Sequence, residues 1–85
     1  MMFDVLYSKQ ARKFMLAAED ILAKRLLKKI EELRPNPVIH DTKTVQGYKE
    51  KLFRVRVGGY RILYEVDFSK NMIGVVKIDK RPRVY

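Results

Sequence analysis

Three arginines in one short stretch, Arg54, Arg56 and Arg61, are the residues whose types and spacing suggest chemistry. Guanidinium groups keep their charge near neutral pH, and each can bind two phosphate oxygens at once. Fixed guanidinium groups also stabilise the negative charge that develops on the non-bridging oxygens when a phosphodiester is cleaved. The stretch therefore indicates an anion-binding surface whose chemistry suits a phosphate-bearing polymer.

A β-hairpin is predicted to position these arginines. Apolar and basic residues alternate from Phe53 to Val57, which is typical of a half-buried strand, so Arg54 and Arg56 share one face. Gly58-Gly59 signals a two-residue turn, because tight primed turns need positive φ. The returning strand places Arg61 on the face of the other arginines. The opposite, apolar face gathers Phe53, Val55, Val57, Tyr60, Ile62, Tyr64 and Val66. Solvated sheet faces are often charged, so alternation alone does not distinguish an anion-binding face from ordinary surface.

The other elements follow from local signals. A short strand is predicted over residues 3–7, a helix over 9–16 with Ser8 as N-cap, and a second helix over 18–33. Residues 35–47 are predicted to form a loop. A last strand over 72–78 has Val76 and Ile78 on one face, with Val75 and Lys77 on the other. This order predicts an α+β fold in which two N-terminal helices pack on a mostly antiparallel four-stranded sheet, β-α-α-β-β-β. The face away from the helices is then open and carries the three arginines and Lys77.

Composition narrows the function classes. The 85 residues predict a single domain spanning 1–85, and a net charge of +9 favours a polyanionic partner. The chain lacks cysteine, and its first residues lack a basic region followed by an apolar stretch, so we expect a cytoplasmic protein without a signal peptide. Apolar runs are too short to span a bilayer, and no membrane partner is expected. His40 is a lone histidine in the loop, and no metal or cofactor is expected.

The chain resembles the RelE/ParE toxin superfamily of toxin–antitoxin systems. The resemblance is strongest from Val45 to Val66, in Val-Gln-Gly-Tyr and then Phe-Arg-Val-Arg-Val-Gly-Gly-Tyr-Arg-Ile-Leu-Tyr-Glu-Val. It resumes at Lys-Arg-Pro-Arg-Val-Tyr, residues 80–85. Relatives that resemble RelE cleave messenger RNA in the ribosomal A site, where the ribose 2′-OH attacks the adjacent phosphate.

The resemblance implies the same activity and site here. It implies catalytic roles for Arg54, Arg56, Arg61, Arg81 and Tyr85, and RNA-binding roles for Lys77, Lys80 and Arg83. Arg61 and Arg81 would stabilise the transition state, and the two arginines of the first hairpin strand would clamp phosphate or take part in proton transfer. Tyr85 would stack on a base or orient the attacking hydroxyl. The residues identify no general base, because an ordinary arginine has too high a pKa.

The implied partners are the ribosome, messenger RNA and an antitoxin on a separate chain, which would bring an acidic or amphipathic segment. A two-plus-two complex with the antitoxin would be in keeping with the family. Two other functions fit the residues. The chain could inhibit DNA gyrase, as the ParE branch does without cutting RNA, or it could be a non-catalytic module that binds nucleic acid or antitoxin.

Overall fold

The chain folds into two helices packed on one five-stranded sheet. The computed structural model describes residues 2–80. Its elements are β1 (Asp4–Tyr7), α1 (Lys9–Ala17), α2 (Asp20–Leu33), β2 (Lys43–Val45), β3 (Leu52–Val57), β4 (Tyr60–Asp67) and β5 (Met72–Lys80). The strand order is β1-β5-β4-β3-β2, with β1 parallel to β5 and the other neighbours antiparallel. The predicted α+β class is confirmed, but the predicted number of strands was wrong by one.

The additional strand is β2, which lies inside the segment that we predicted to be a loop. Its three residues pair with the start of β3, with Lys43 opposite Arg54 and Val45 opposite Leu52. Three residues are too few to show a periodic pattern in the sequence. The strand is defined by pairing with the edge of β3, which is information that the local sequence does not carry.

The core lies between the helices and one face of the sheet. Ser8 caps α1 by accepting a hydrogen bond from the Ala11 amide, as predicted. Leu26, Ile30 and Leu33 recur at three- and four-residue spacing along α2 and form a buried apolar stripe. These side chains join the apolar face of the hairpin in one cluster. Burial of each such leucine or isoleucine contributes about 1.5–3 kcal/mol to the free energy of unfolding. The hydrophobic contact with α2 is therefore the main interaction that stabilises the hairpin.

A β-bulge changes the alternation of β5. Tyr64 lies opposite Val75 while Leu63 lies opposite Lys77, so Val76 is an extra residue in the pairing. Val75 and Ile78 consequently both face the core, and Val76 is exposed. The prediction that Val76 shares the face of Ile78 was wrong for this reason.

Side chains from the start of α1 stabilise the bulged region. The Ser8 hydroxyl donates to the carbonyl of Val76 at 2.6 Å. The Gln10 amide donates to the Ile78 carbonyl and accepts from the Ile78 amide, at 2.9 and 3.0 Å. These bonds satisfy backbone groups of β5 and fix which residues beyond the bulge point away from the helices.

The connection between α2 and the sheet is tied to the core by Tyr64. Its buried hydroxyl donates to the Pro37 carbonyl and lies 3.0 Å from the Thr42 hydroxyl. Thr42 in turn accepts a hydrogen bond from the Ile39 amide. This chain of bonds holds the loop that leads directly into β2.

Candidate functional site

Charged side chains form two rows across the face of the sheet that points away from the helices. Strand register aligns the first row through β2, β3, β4 and β5 as Lys43, Arg54, Leu63 and Lys77. It aligns the second row through β3, β4 and β5 as Arg56, Arg61 and Asp79. We call the five cations of these rows, Lys43, Arg54, Arg56, Arg61 and Lys77, the basic face.

The hairpin turn sets the spacing of the arginines. The two-residue turn makes Val57 opposite Tyr60 and therefore Arg56 opposite Arg61. Residues opposite each other on antiparallel strands have Cβ atoms about 4.5–5.5 Å apart. Of the two turn glycines only Gly58 has positive φ, at 57°. The register thus places the side chains of Arg56 and Arg61 next to each other on this face.

Arg61 is held by a carboxylate of the neighbouring strand. Its Nε lies 2.7 Å from Oδ1 of Asp79, and its Nη2 lies 3.2 Å from Oδ2. Lys77 Nζ is 3.7 Å from the same Oδ2. The hydrogen bonds to Asp79 contribute most to raising the pKa of Arg61, and the negative charge of Asp79 raises it further. This guanidinium therefore stays charged at any physiological pH. Arg54 makes no ion pair within residues 2–80.

The segment before β3 covers part of this side of the sheet. Leu52 and Leu63 point away from the helices but are only 4% and 1% exposed. A cavity of about 260 Å³ beside Leu52 is lined by Tyr48, Glu50 and Glu65 among others. Tyr48 lies near Arg61. The face is therefore open over the charged rows and partly covered beyond them, and the covering segment brings an exposed aromatic ring towards Arg61.

Acidic side chains occupy the far end of the same face. Glu65 pairs across the strands with Gly74, where an added Cβ would lie 3.2 Å from the Glu65 Cγ. Burial raises the pKa of Glu65, and a hydrogen bond and the negative charge of Glu50 raise it further. The face therefore has a positive end at the hairpin turn and a negative end near the β4–β5 turn.

A second cluster of cations adjoins the basic face at the hairpin turn. A groove of about 300 Å³ between α2 and the hairpin is lined by Arg25, Lys28, Lys29, Glu32, Arg56, Val57 and Gly58. The fold brings three cations of α2, Arg25, Lys28 and Lys29, beside Arg56. Lys29 also pairs with Asp41 at 3.2 Å. Positive charge thus continues from the sheet face around its edge onto the helix.

The residues implied by resemblance divide into three groups. Arg54, Arg56, Arg61 and Lys77 are brought together on the basic face. Lys80 lies opposite Tyr60 in the register, so it is on the helix side of the sheet. Arg81, Arg83 and Tyr85 lie outside the described residues.

Sequence reasoning missed Lys43, Tyr48 and Asp79. Only strand pairing places Lys43 beside Arg54 and Asp79 beside Arg61, so neither could be found from local pattern. Tyr48 belongs to the Val-Gln-Gly-Tyr motif and could have been singled out on that ground. Elsewhere, His40 is exposed in the loop before β2, and residues 2–80 contain no cluster of potential metal ligands. Within the same residues no helix is long and apolar enough to cross a bilayer.

The solved structures that this chain resembles include RelE toxins, alone and in complex with RelB. A RelE–RelB complex from Pyrococcus horikoshii superposes with a TM-score of 0.84 at 27% identity, covering 99% of this chain and 100% of that one. A RelB–RelE complex from Methanococcus jannaschii has a TM-score of 0.69 at 28% identity, covering 89% and 90%. The isolated Escherichia coli RelE toxin, at 23% identity, has a TM-score of 0.80 and covers 96% and 87%, which shows likeness of fold.

Sequence comparison gives the family directly. No curated protein sequence matches the chain. The family model described as "ParE toxin of type II toxin-antitoxin system, parDE" matches residues 5–85. Because this match covers nearly the whole chain and the fold agrees with it, the chain belongs to the ParE toxin family, within the RelE/ParE superfamily of type II toxin–antitoxin systems.

Proposed function

We propose that the chain is a toxin that cleaves messenger RNA on the ribosome and so inhibits translation. The observation that carries this proposal is the two-row array, in which three arginines and two lysines converge on one sheet face. Inhibition of a protein target would not require such an array, whereas binding and cleavage of an RNA backbone would. The similarity to RelE toxins supports the same function.

The proposed reaction is attack of a ribose 2′-OH on the adjacent phosphorus. A new O2′–P bond forms, the P–O5′ bond breaks, and the proton of the 2′-OH ends on the leaving 5′-oxygen. Arg54 and Arg56 bind the phosphate, and Arg61 stabilises the charge on the non-bridging oxygens. We assign Arg81 to the same task, Tyr85 to base stacking or orientation of the hydroxyl, and Lys77 and Arg83 to RNA binding. The ribosome supplies the remaining orientation of the message, which is a large catalytic contribution.

The proposed partner that controls this activity is an antitoxin on a separate chain. Two of the similar structures are complexes of RelE with RelB. The chain carries a net charge of +9, which favours binding of an acidic segment. We propose that such a segment of the partner covers the basic face. The proposed site of action is the cytoplasm, where the ribosomes are, and a two-plus-two complex is the proposed inactive form.

In vitro translation followed by primer extension tests the activity. We expect cuts only in ribosome-bound message, and Arg61→Ala should lower the cleavage rate by about 10²–10³, the usual effect of removing one oxyanion-stabilising donor. Arg12→Ala is the matched control, since it removes an exposed guanidinium from α1, on the other side of the sheet. Full cleavage by an Arg54→Ala Arg61→Ala double variant that folds normally would refute the assignment of the site.

Inhibition of DNA gyrase is the second candidate, because the matching family model is that of the ParE toxin. The same purified protein is therefore added to a DNA supercoiling reaction. Blocked supercoiling with intact ribosome-bound message would favour this function, and it would leave the basic face without a catalytic role.

A further inference from the structure

Asp79 occupies one defined edge of the Arg61 guanidinium. The contacts at 2.7 Å to Nε and 3.2 Å to Nη2 use the side edge of the planar group. The side chains of Arg61 and Asp79 are only 25% and 24% exposed. A two-point contact between planar groups fixes the plane of the guanidinium as well as its position, and partial burial reduces screening by water.

The ion pair leaves the other edge of Arg61 available. It does not use the two Nη1 hydrogens or the second Nη2 hydrogen, and one Nη1 hydrogen and this Nη2 hydrogen point in parallel along the end edge of the group. That edge can donate two parallel hydrogen bonds to two oxygens of a phosphate. Arg61 can therefore bind Asp79 and a phosphodiester at the same time through different edges.

Asp79 also offsets a repulsion that the register creates. Arg56 lies directly opposite Arg61, and like charges in this position destabilise a strand pair. Asp79 continues the same row on the other side of Arg61. A carboxylate here draws Arg61 towards β5 and holds it there, where a neutral residue would let the flexible side chain turn into solvent.

We propose that Asp79 is a positioning residue, which anchors the Nε–Nη2 edge of Arg61 and presents its Nη1–Nη2 edge to the phosphodiester. This inference rests on the proposed function for its catalytic consequence. The ordering of Arg61 by Asp79 does not depend on it.

The test compares Asp79→Asn with Asp79→Glu, which keeps the charge, and with Asp20→Asn, which removes an exposed carboxylate from the first turn of α2. Melting temperatures confirm that each variant folds. Nitrogen-15 NMR of the arginine Nε–H groups reports the order of Arg61. Single-turnover cleavage on programmed ribosomes gives the rate, and a message with a 2′-deoxy residue at the cleavage position, which cannot be cut, gives the affinity.

We expect the slowly exchanging Arg61 Nε–H signal to disappear in Asp79→Asn. The cleavage rate of this variant should fall by about 10- to 100-fold, while its affinity for the 2′-deoxy message stays unchanged. Asp79→Glu should recover part of both losses, and Asp20→Asn should match the wild type. Tighter binding of the 2′-deoxy message by Asp79→Asn with no loss of rate would show that Asp79 competes with phosphate, and would overturn the proposal. An unchanged Nε–H signal would also overturn it. If the wild-type protein cleaves nothing, the proposed function fails, and the NMR signal alone decides whether Asp79 orders Arg61.

Discussion

The two glycines of the hairpin turn should respond in opposite directions to alanine. The turn is the segment that sets Arg56 opposite Arg61, so its conformation matters for the site. Gly58 has φ of 57°, in the left-handed region, and its Cβ position is 3.0 Å from Nη2 of Arg25. Gly59 has φ outside that region, and nothing lies within 4 Å of its Cβ position.

Two contributions determine how much each alanine should change the free energy of unfolding. Either alanine reduces the freedom of the unfolded chain, which stabilises the folded state by about 0.4–1 kcal/mol where the native backbone permits it. At Gly58 the left-handed backbone costs an alanine about 1–2 kcal/mol. The contact with Arg25 adds little, because the end of an exposed, flexible side chain can move. The unfolded-state term is common to both variants, so the difference between them isolates the left-handed term of about 1–2 kcal/mol.

The assay is urea unfolding followed by circular dichroism, with thermal melts as a second measurement. We expect Gly59→Ala to equal or exceed the wild type in stability and Gly58→Ala to fall below it. For a domain of this size each kcal/mol shifts the melting temperature by roughly 4–8 °C, so the two variants should differ by at least about 4 °C. Equal melting temperatures, or a less stable Gly59→Ala, would refute the reasoning about the turn.

Three further outcomes are expected from urea unfolding. Val75→Ala should cost about 1–3 kcal/mol of unfolding free energy and Val76→Ala less than about 0.5 kcal/mol, because the bulge buries the first and exposes the second; equal losses would contradict the bulge. Tyr64→Phe should cost about 1–3 kcal/mol, since its buried hydroxyl bonds two loop residues; Tyr60→Phe, whose hydroxyl makes no hydrogen bond within residues 2–80, is the control and should be near neutral. Burial raises the pKa of Glu65 above its ordinary 4.5, so its stabilising contribution is present at low pH and lost as pH rises through the raised value. Glu65→Gln should flatten the dependence of the free energy of unfolding on pH above about pH 4.5. An unchanged dependence would show that the titration of Glu65 does not cause it.

Local signals were sufficient for the helices and the hairpin. Ser8 as a cap, the apolar stripe of α2 and the alternation around Arg54 each act within a few residues of the chain, so the sequence displays them. The convergence of Arg54, Arg56 and Arg61 also follows, because a two-residue turn leaves few registers for the hairpin.

Long-range pairing explains what could not be predicted. Strand β2 is too short to have a pattern, and it brings Lys43 into the first row only by joining the edge of β3. The bulge at Val76 has no local sign in a run of two valines. It depends on hydrogen bonds to Ser8 and Gln10, which are 68 residues away in the chain.

The bulge also determines which residues complete the second row. The alternation of side chains between the two faces of β5 changes phase at Val76. As a result Ile78 points into the core and Asp79 points towards Arg61. A regular strand that kept Val75 in the core would point Ile78 away from the helices and Asp79 into the apolar interior, where an unpaired carboxylate is costly. The bulge therefore serves the core and the charged face together, and the bonds from α1 that fix it also fix the carboxylate that holds Arg61.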